Sequence, residues 1–301
     1  MTLFRGKDAL LRRIAETERQ SESYSLPTFS TPRSDVAAFS FEYGLHPALV
    51  RLLMELDRSS WRQVAERLPE GTDTSLLVAR WIDWVWSDPI SGLRRRVADE
   101  RLQARGDAIC ELQRRAAAGE AVSRAQWREA RSALAKAGPA DEIEAAAAEV
   151  IAAAAWDLET APGAAADMIY AWRAASFAEV DRQLGWNGEK DSAANERWEK
   201  ASAAGKARAD ADAADARSSG VEKDEAAAAV RLRQSFQGGI QDYLAANPSE
   251  LDRRSDLRQA AYVEVDRLAR EGLLRQIELL GDPHRATDLT RRGVAASHSQ
   301  S

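Results

Sequence analysis

The side chains that most often do chemistry are scarce in this chain. Three histidines, His46, His284 and His298, and one cysteine, Cys110, supply all the nitrogen and sulfur ligands. They are scattered, whereas a structural metal site clusters such ligands at short spacings, so no metal site is expected. Glycine-rich phosphate cradles of the dinucleotide or P-loop kind are absent, as is the Gly-x-Ser-x-Gly elbow that presents a catalytic serine. No cofactor is therefore expected. Cys110 follows Ile109 inside a helical apolar pattern and reads as a small buried side chain rather than a nucleophile. Carboxylates are plentiful but fall on polar helix faces, and Asp210, Asp212 and Asp215 belong to a low-complexity stretch where they solvate the chain. The expectation is a protein without enzymatic activity.

Aromatic residues are the richer signal. Nine tryptophans occur, and the densest group is Arg80-Trp81-Ile82-Asp83-Trp84-Val85-Trp86. On a helix Trp81 and Trp84 share a face, while Trp86 points about 160° away from Trp84. Two readings stand. Either the group is core with one ring partly exposed, or Trp86, with Arg80, is a contact for a protein partner, since Trp and Arg are enriched at interface hot spots.

These residues need elements to hold them, and the elements predicted are helices throughout. Leu45, Leu49, Leu52 and Leu53 recur at three- and four-residue steps. Ser60 to Gln63 and Ser123 to Gln126 have capping-box spacing. Thr74 to Ser87 reads as a helix ended by Asp88-Pro89, and Asp141 starts an Ala-rich helix with Ile143, Ala147, Val150, Ala154 and Leu158 on one face. The fold class is all-α, a multi-helix bundle or helical repeat-like domain. The boundaries expected are an N-terminal arm over 1–35, a helical domain over 36–200, and an Ala/Asp-rich connector or exposed helix over 201–229. A small C-terminal helical unit follows over 230–293, then a disordered tail over 294–301. The strand candidates are Leu274 to Leu280 and Thr287 to Thr290, enough for a two-stranded wing.

Lys and Arg number 42 against 48 Asp and Glu, a net charge of −6, which argues against a generally basic nucleic-acid binder. One cysteine cannot close an intramolecular disulfide. The opening Met1 to Asp8 is too polar for a signal h-region, and no stretch is apolar enough to span a bilayer. A soluble, cytoplasmic protein with no membrane partner is expected.

Two resemblances add to this. Trp81 to Ala175 resemble the immunity protein family associated with bacterial polymorphic-toxin loci. The likeness is carried by Asp99-Glu100-Arg101, Asp107-Ala108-Ile109, Gly119-Glu120-Ala121-Val122-Ser123, Trp127-Arg128-Glu129-Ala130-Arg131 and Pro162-Gly163-Ala164-Ala165-Ala166. It implies a helical repeat-like bundle that binds and neutralises a cognate toxin. The chain departs from the family's pattern at Trp156-Asp157, where a small residue with a nearby histidine is the norm, and in its long flanks. The C-terminal segment Tyr262 to Leu274, followed by Gly281 to Arg285 and Asp288 to Gly293, is similar to the recognition helix and wing of MarR- and PadR-like regulators. That resemblance implies DNA binding through Arg267 and Arg270 on the helix and Arg285, Arg291 and Arg292 on the wing. Residues 249–293 hold nine basic and nine acidic side chains, so the unit lacks the uncompensated cations a DNA reader normally turns to phosphate.

Overall fold

The computed structural model describes residues 2–21, 36–56, 58–219 and 225–281, and these form helices joined by short turns. In chain order they are α1 (Lys7–Ser21), α2 (Val36–Tyr43), α3 (Pro47–Glu55), α4 (Arg58–Arg67), α5 (Thr74–Ser87), α6 (Glu100–Ala117), α7 (Arg124–Ala135), α8 (Glu142–Ala153), α9 (Ala164–Gln183), α10 (Gly188–Ser219), α11 (Glu225–Ala246) and α12 (Glu250–Gly281). A short 3-10 turn, Leu93–Arg96, lies between α5 and α6. The all-α class is as expected.

Local chemistry starts α5, α7 and α8 where the sequence predicts. Each helix leaves its first backbone N–H groups without partners, and a side-chain acceptor at the N-cap satisfies one of them. Asp73 caps α5, Asp99 caps α6 and Asp141 caps α8, each through a carboxylate oxygen. Ser123 and Gln126 make the full reciprocal box on α7. The box expected at Ser60 is not formed: α4 begins at Arg58, so Ser60 lies inside the helix and is fully buried. Glu144, in the first turn of α8, accepts hydrogen bonds from the backbone N–H groups of Ala140, Asp99 and Ala98, which hold its carboxyl below the usual carboxylate range.

The described residues divide into two compact units, one drawn from 1–176 and 262–281 and the other from 177–261. In the first, α5 runs through the middle of the core. Leu77, Val78, Trp81, Ile82, Val85 and Trp86 are all buried there, alongside Leu49, Leu52 and Leu53 of α3 and Trp172 of α9. The later half of α12 belongs to the same core. Val265, Ala269, Leu273 and Ile277 are buried, and Trp81 donates its indole N–H to the Ala269 carbonyl at 2.9 Å. The ion pair of Arg173 with Asp266 is also buried here, with the guanidinium 4.2 Å from the Tyr262 ring centre.

Several expected boundaries are therefore corrected. The first 35 residues are not simply an arm: Phe4, Leu10 and Ile14 are buried, and Phe4 exchanges backbone hydrogen bonds with Thr72 and Gly71. Gly44, at φ +58°, allows this close approach, because a Cβ there would lie 2.0 Å from the Leu3 carbonyl oxygen. The helical domain does not run over 36–200, since its unit ends at 176 and takes in residues from 262 onward. Of the unit expected over 230–293, the described residues 230–281 do not stand as one separate unit, because the apolar stripe on α12 is part of the main core. Leu274 to Leu280, expected as a wing strand, is helical, and α12 runs unbroken for 32 residues through the place where a helix-turn-helix needs its turn. Thr287 to Thr290 and the tail over 294–301 lie outside the described residues.

In the second unit, α10 and α11 form an antiparallel pair. Its crossing point is made by glycines: a Cβ on Gly239 would lie 2.8 Å from the Gly205 Cα, and one on Gly205 would lie 2.7 Å from the Phe236 carbonyl oxygen. The stretch expected as a connector or exposed helix over 201–229 is helical to Ser219 and again from Glu225. Asp181 accepts from both Arg254 and Arg258, and these hydrogen bonds hold its carboxyl below the ordinary carboxylate range.

Candidate functional site

The residues predicted to bind a partner are not placed to do so together. Trp86 is buried completely, its Nε1–H donating to Asp107 Oδ1 at 2.8 Å and its ring lying against Gly106. The partner-contact reading of Trp86 is thus overturned. The 160° offset from Trp84 points Trp86 toward α6, not toward solvent. Arg80 is half-buried, and desolvation lowers its guanidinium pKa. Arg267 is clamped between Glu264 and Glu271, whose hydrogen bonds raise its pKa, and Arg270 approaches Ser59 Oγ at 3.5 Å. Arg285, Arg291 and Arg292 lie outside the described residues.

A different surface gathers exposed cations and aromatic rings. The capping box fixes the start of α7, and from there Arg124, Arg128 and Arg131 follow at steps of four and three, which puts them along one face of the helix. Trp127, buried at 3% exposure, anchors the helix on the unit. The turn after α8 approaches the same face. Gln113 of α6 donates to the Trp156 carbonyl at 2.8 Å, and Arg131 donates to the Ala155 carbonyl at 2.6 Å. Held in this way, the Trp156 ring lies under the Arg131 guanidinium, 3.7 Å from its centre, while remaining 45% exposed. Arg124, Trp127, Arg128, Arg131, Trp156, Asp157 and Thr160 line a cleft of about 300 Å³.

Arg124 and Arg128 have no hydrogen-bond or ion-pair partner among the described residues. Several other arginines on this acidic chain are paired: Arg94 with Asp107, Arg115 with Glu120, Arg197 with Asp252 and Arg275 with Asp88. Potential is set by uncompensated charge, so the α7 face is a positive spot on a negative protein.

A second cleft, of about 420 Å³, adjoins the first through Asp157 and is lined by His46, Asp73, Ser75, Gln113, Glu159 and the end of α6. It contains the one buried histidine among the described residues. His46 Nδ1 accepts from the Ala48 backbone N–H at 3.2 Å, capping α3, so the ring proton sits on Nε2, which lies 3.2 Å from Glu159 Oε1. Both nitrogens are committed, and a general base needs a free lone pair within reach of its proton. His46 positions α3. Cys110 is equally unsuited to nucleophilic chemistry, because burial pushes its thiol pKa up and the carboxylates of Asp83 and Asp107 push it further. No group of three His, Cys, Asp or Glu among the described residues is arranged to hold a metal ion. No described helix is long and apolar enough to cross a membrane.

Reasoning from sequence alone misses the α7 cleft. The arginine spacing was visible in Trp127-Arg128-Glu129-Ala130-Arg131, yet Trp156 is remote in sequence and only the fold brings it under Arg131. The chain matches no protein-family model, no curated protein and no solved structure.

Proposed function

We propose that this chain is a non-enzymatic interaction protein that binds and neutralises a cognate protein partner, in the manner implied by the immunity-protein resemblance, and that it docks through the α7 cleft. The observation that supports the reading is the pairing of Trp156, half-exposed beneath Arg131, with two partnerless arginines on the adjoining helix turns. Trp and Arg are the residue types that carry most binding energy at protein interfaces, and they do so where an aromatic anchor is ringed by polar groups. Unpaired cations accelerate encounter with a negatively charged partner surface and select against positive ones. The commitment of His46 to capping and the burial of Cys110 fit the same reading.

The test is affinity capture with the full chain from its source cell, in parallel with an Arg124→Glu/Arg128→Glu variant. The proposal expects one stoichiometric protein partner on the unmodified chain and its loss from the variant. Retention of that partner by the variant, or salt-sensitive retention of DNA in place of protein, would contradict it.

A further inference from the structure

Resting on the reading of the α7 cleft as a docking surface, we infer that the cleft is a receptor for a carboxylate side chain, presented by an acidic segment of the partner that also carries an aromatic residue. Arg124 and Arg128 stand one helical turn apart, exposed and without an acceptor among the described residues. A guanidinium presents planar pairs of N–H donors that match the two oxygens of a carboxylate. Arg131 is the third cation, but it is already fixed by the Ala155 carbonyl and the Trp156 ring, so it supplies field and shape.

A second observation is independent of the arginines. Trp127 lines the cleft and is 3% exposed, yet its indole Nε1–H has no acceptor among the described residues. A buried donor without a partner is costly, so a change in the packing of the cleft wall registers at this indole. The cations border the cleft that Trp127 helps to line, and it is the cations that call for an oxyanion.

Size and neighbouring charge narrow the ligand further. About 300 Å³ is at the low end of ligand pockets; it admits a side chain or two, not an element of structure. The exposed part of the Trp156 ring offers stacking area for an aromatic residue beside the carboxylate. Asp157 sits at the rim shared with the second cleft, one of its oxygens taken by the Glu159 backbone N–H, and Glu129 lies on the exposed side of α7. These acids repel an anion from the rim, so the carboxylate is directed toward Arg124 and Arg128.

The experiment uses the full chain and three probes. These are a fluorophore-labelled, end-blocked peptide Gly-Glu-Phe-Glu-Gly, its Gly-Gln-Phe-Gln-Gly counterpart, and inorganic phosphate. Binding is read by anisotropy, and the Trp127 indole resonance is followed with ¹⁵N-labelled tryptophan. The acidic peptide should bind saturably and move the Trp127 signal. Its affinity should fall about tenfold or more in Arg124→Gln/Arg128→Gln and stay unchanged in Arg267→Gln, and the glutamine peptide should bind at least tenfold more weakly. Equal binding of the two peptides, or an unchanged affinity in the double variant, would overturn the inference. So would phosphate displacing the peptide at concentrations no higher than the peptide's own, because the cleft would then be a small-anion site. If the acidic peptide binds as described while partner capture ignores Arg124→Glu/Arg128→Glu, the docking reading fails alone. Partner capture that depends on those arginines without any peptide binding defeats the carboxylate assignment alone.

Discussion

Gly106→Ala should destabilise the protein, although alanine is the better helix former. Gly106 lies inside α6 and is buried. A Cβ built there falls 2.1 Å from Trp86 Cζ2, 2.4 Å from Cε2 and 2.8 Å from Cη2. The indole cannot swing aside easily: Trp86 is fully buried and held by Asp107 at 2.8 Å. Overpacking a filled core costs about 1–3 kcal/mol, and three overlaps with one rigid ring place this case near the top of that range. Relief of glycine's backbone entropy returns about 1 kcal/mol, leaving a net loss of about 2 kcal/mol. For a unit of this size that corresponds to a fall in melting temperature of roughly 4–8 °C. Gly238→Ala in α11 is the control, since its new Cβ meets only the far end of the flexible Arg208 side chain, at 3.2 Å and paired on the surface with Asp242, and should stabilise by roughly 0.5–1 kcal/mol. Urea titrations and thermal melts followed by circular dichroism give both numbers. Gly106→Ala as stable as the unmodified chain would refute the packing argument. Adding Trp86→Phe, which removes the overlapping ring, should recover part of the loss, a non-additivity expected only of residues in contact.

Asp266→Ala leaves the Arg173 guanidinium buried without its carboxylate, and should cost about 3–5 kcal/mol in urea midpoint-derived stability, whereas Arg173→Met with Asp266→Leu should cost much less. Asp181 is held below its ordinary pKa by Arg254 first and Arg258 second. Its contribution is therefore present above about pH 4 and fades as pH falls through the lowered value. Asp181→Asn should flatten the acid limb of the stability curve and leave neutral-pH behaviour less affected by further acidification. Trp86→Ala should lower stability by about 3–5 kcal/mol, the range for truncating a buried large aromatic. With the remaining folded fraction accounted for, partner affinity should be unchanged.

How much of this was legible in the sequence depends on whether the signal is local. Ser123 and Asp141 act on N–H groups three residues ahead, so spacing alone locates the starts of α7 and α8, whereas the start of α6 at Asp99 goes unread because apolar residues continue upstream of it. The apolar steps of α3 likewise give its buried face directly. What spacing cannot supply is the partner of that face. Trp86 has the composition of an interface residue, and only Gly106, brought opposite by α6, turns it into core. Residues 262–280 carry charge and apolar residues in a pattern compatible with a small autonomous unit. Their burial against Trp81 and Trp84 is a long-range fact with no local mark. The cleft is the same case in reverse: the arginine row on α7 is legible, but its aromatic floor comes from Trp127 and from Trp156, which is tethered by Gln113 of another helix.

Hydrogen exchange on the full chain, alone and with its captured protein partner, decides whether the α7 cleft is the docking surface. Protection on binding should concentrate in residues 124–131 and 155–160, the two segments that form the Arg and Trp cleft. Protection confined to α12, with residues 124–131 exchanging as they do in the free chain, would contradict it.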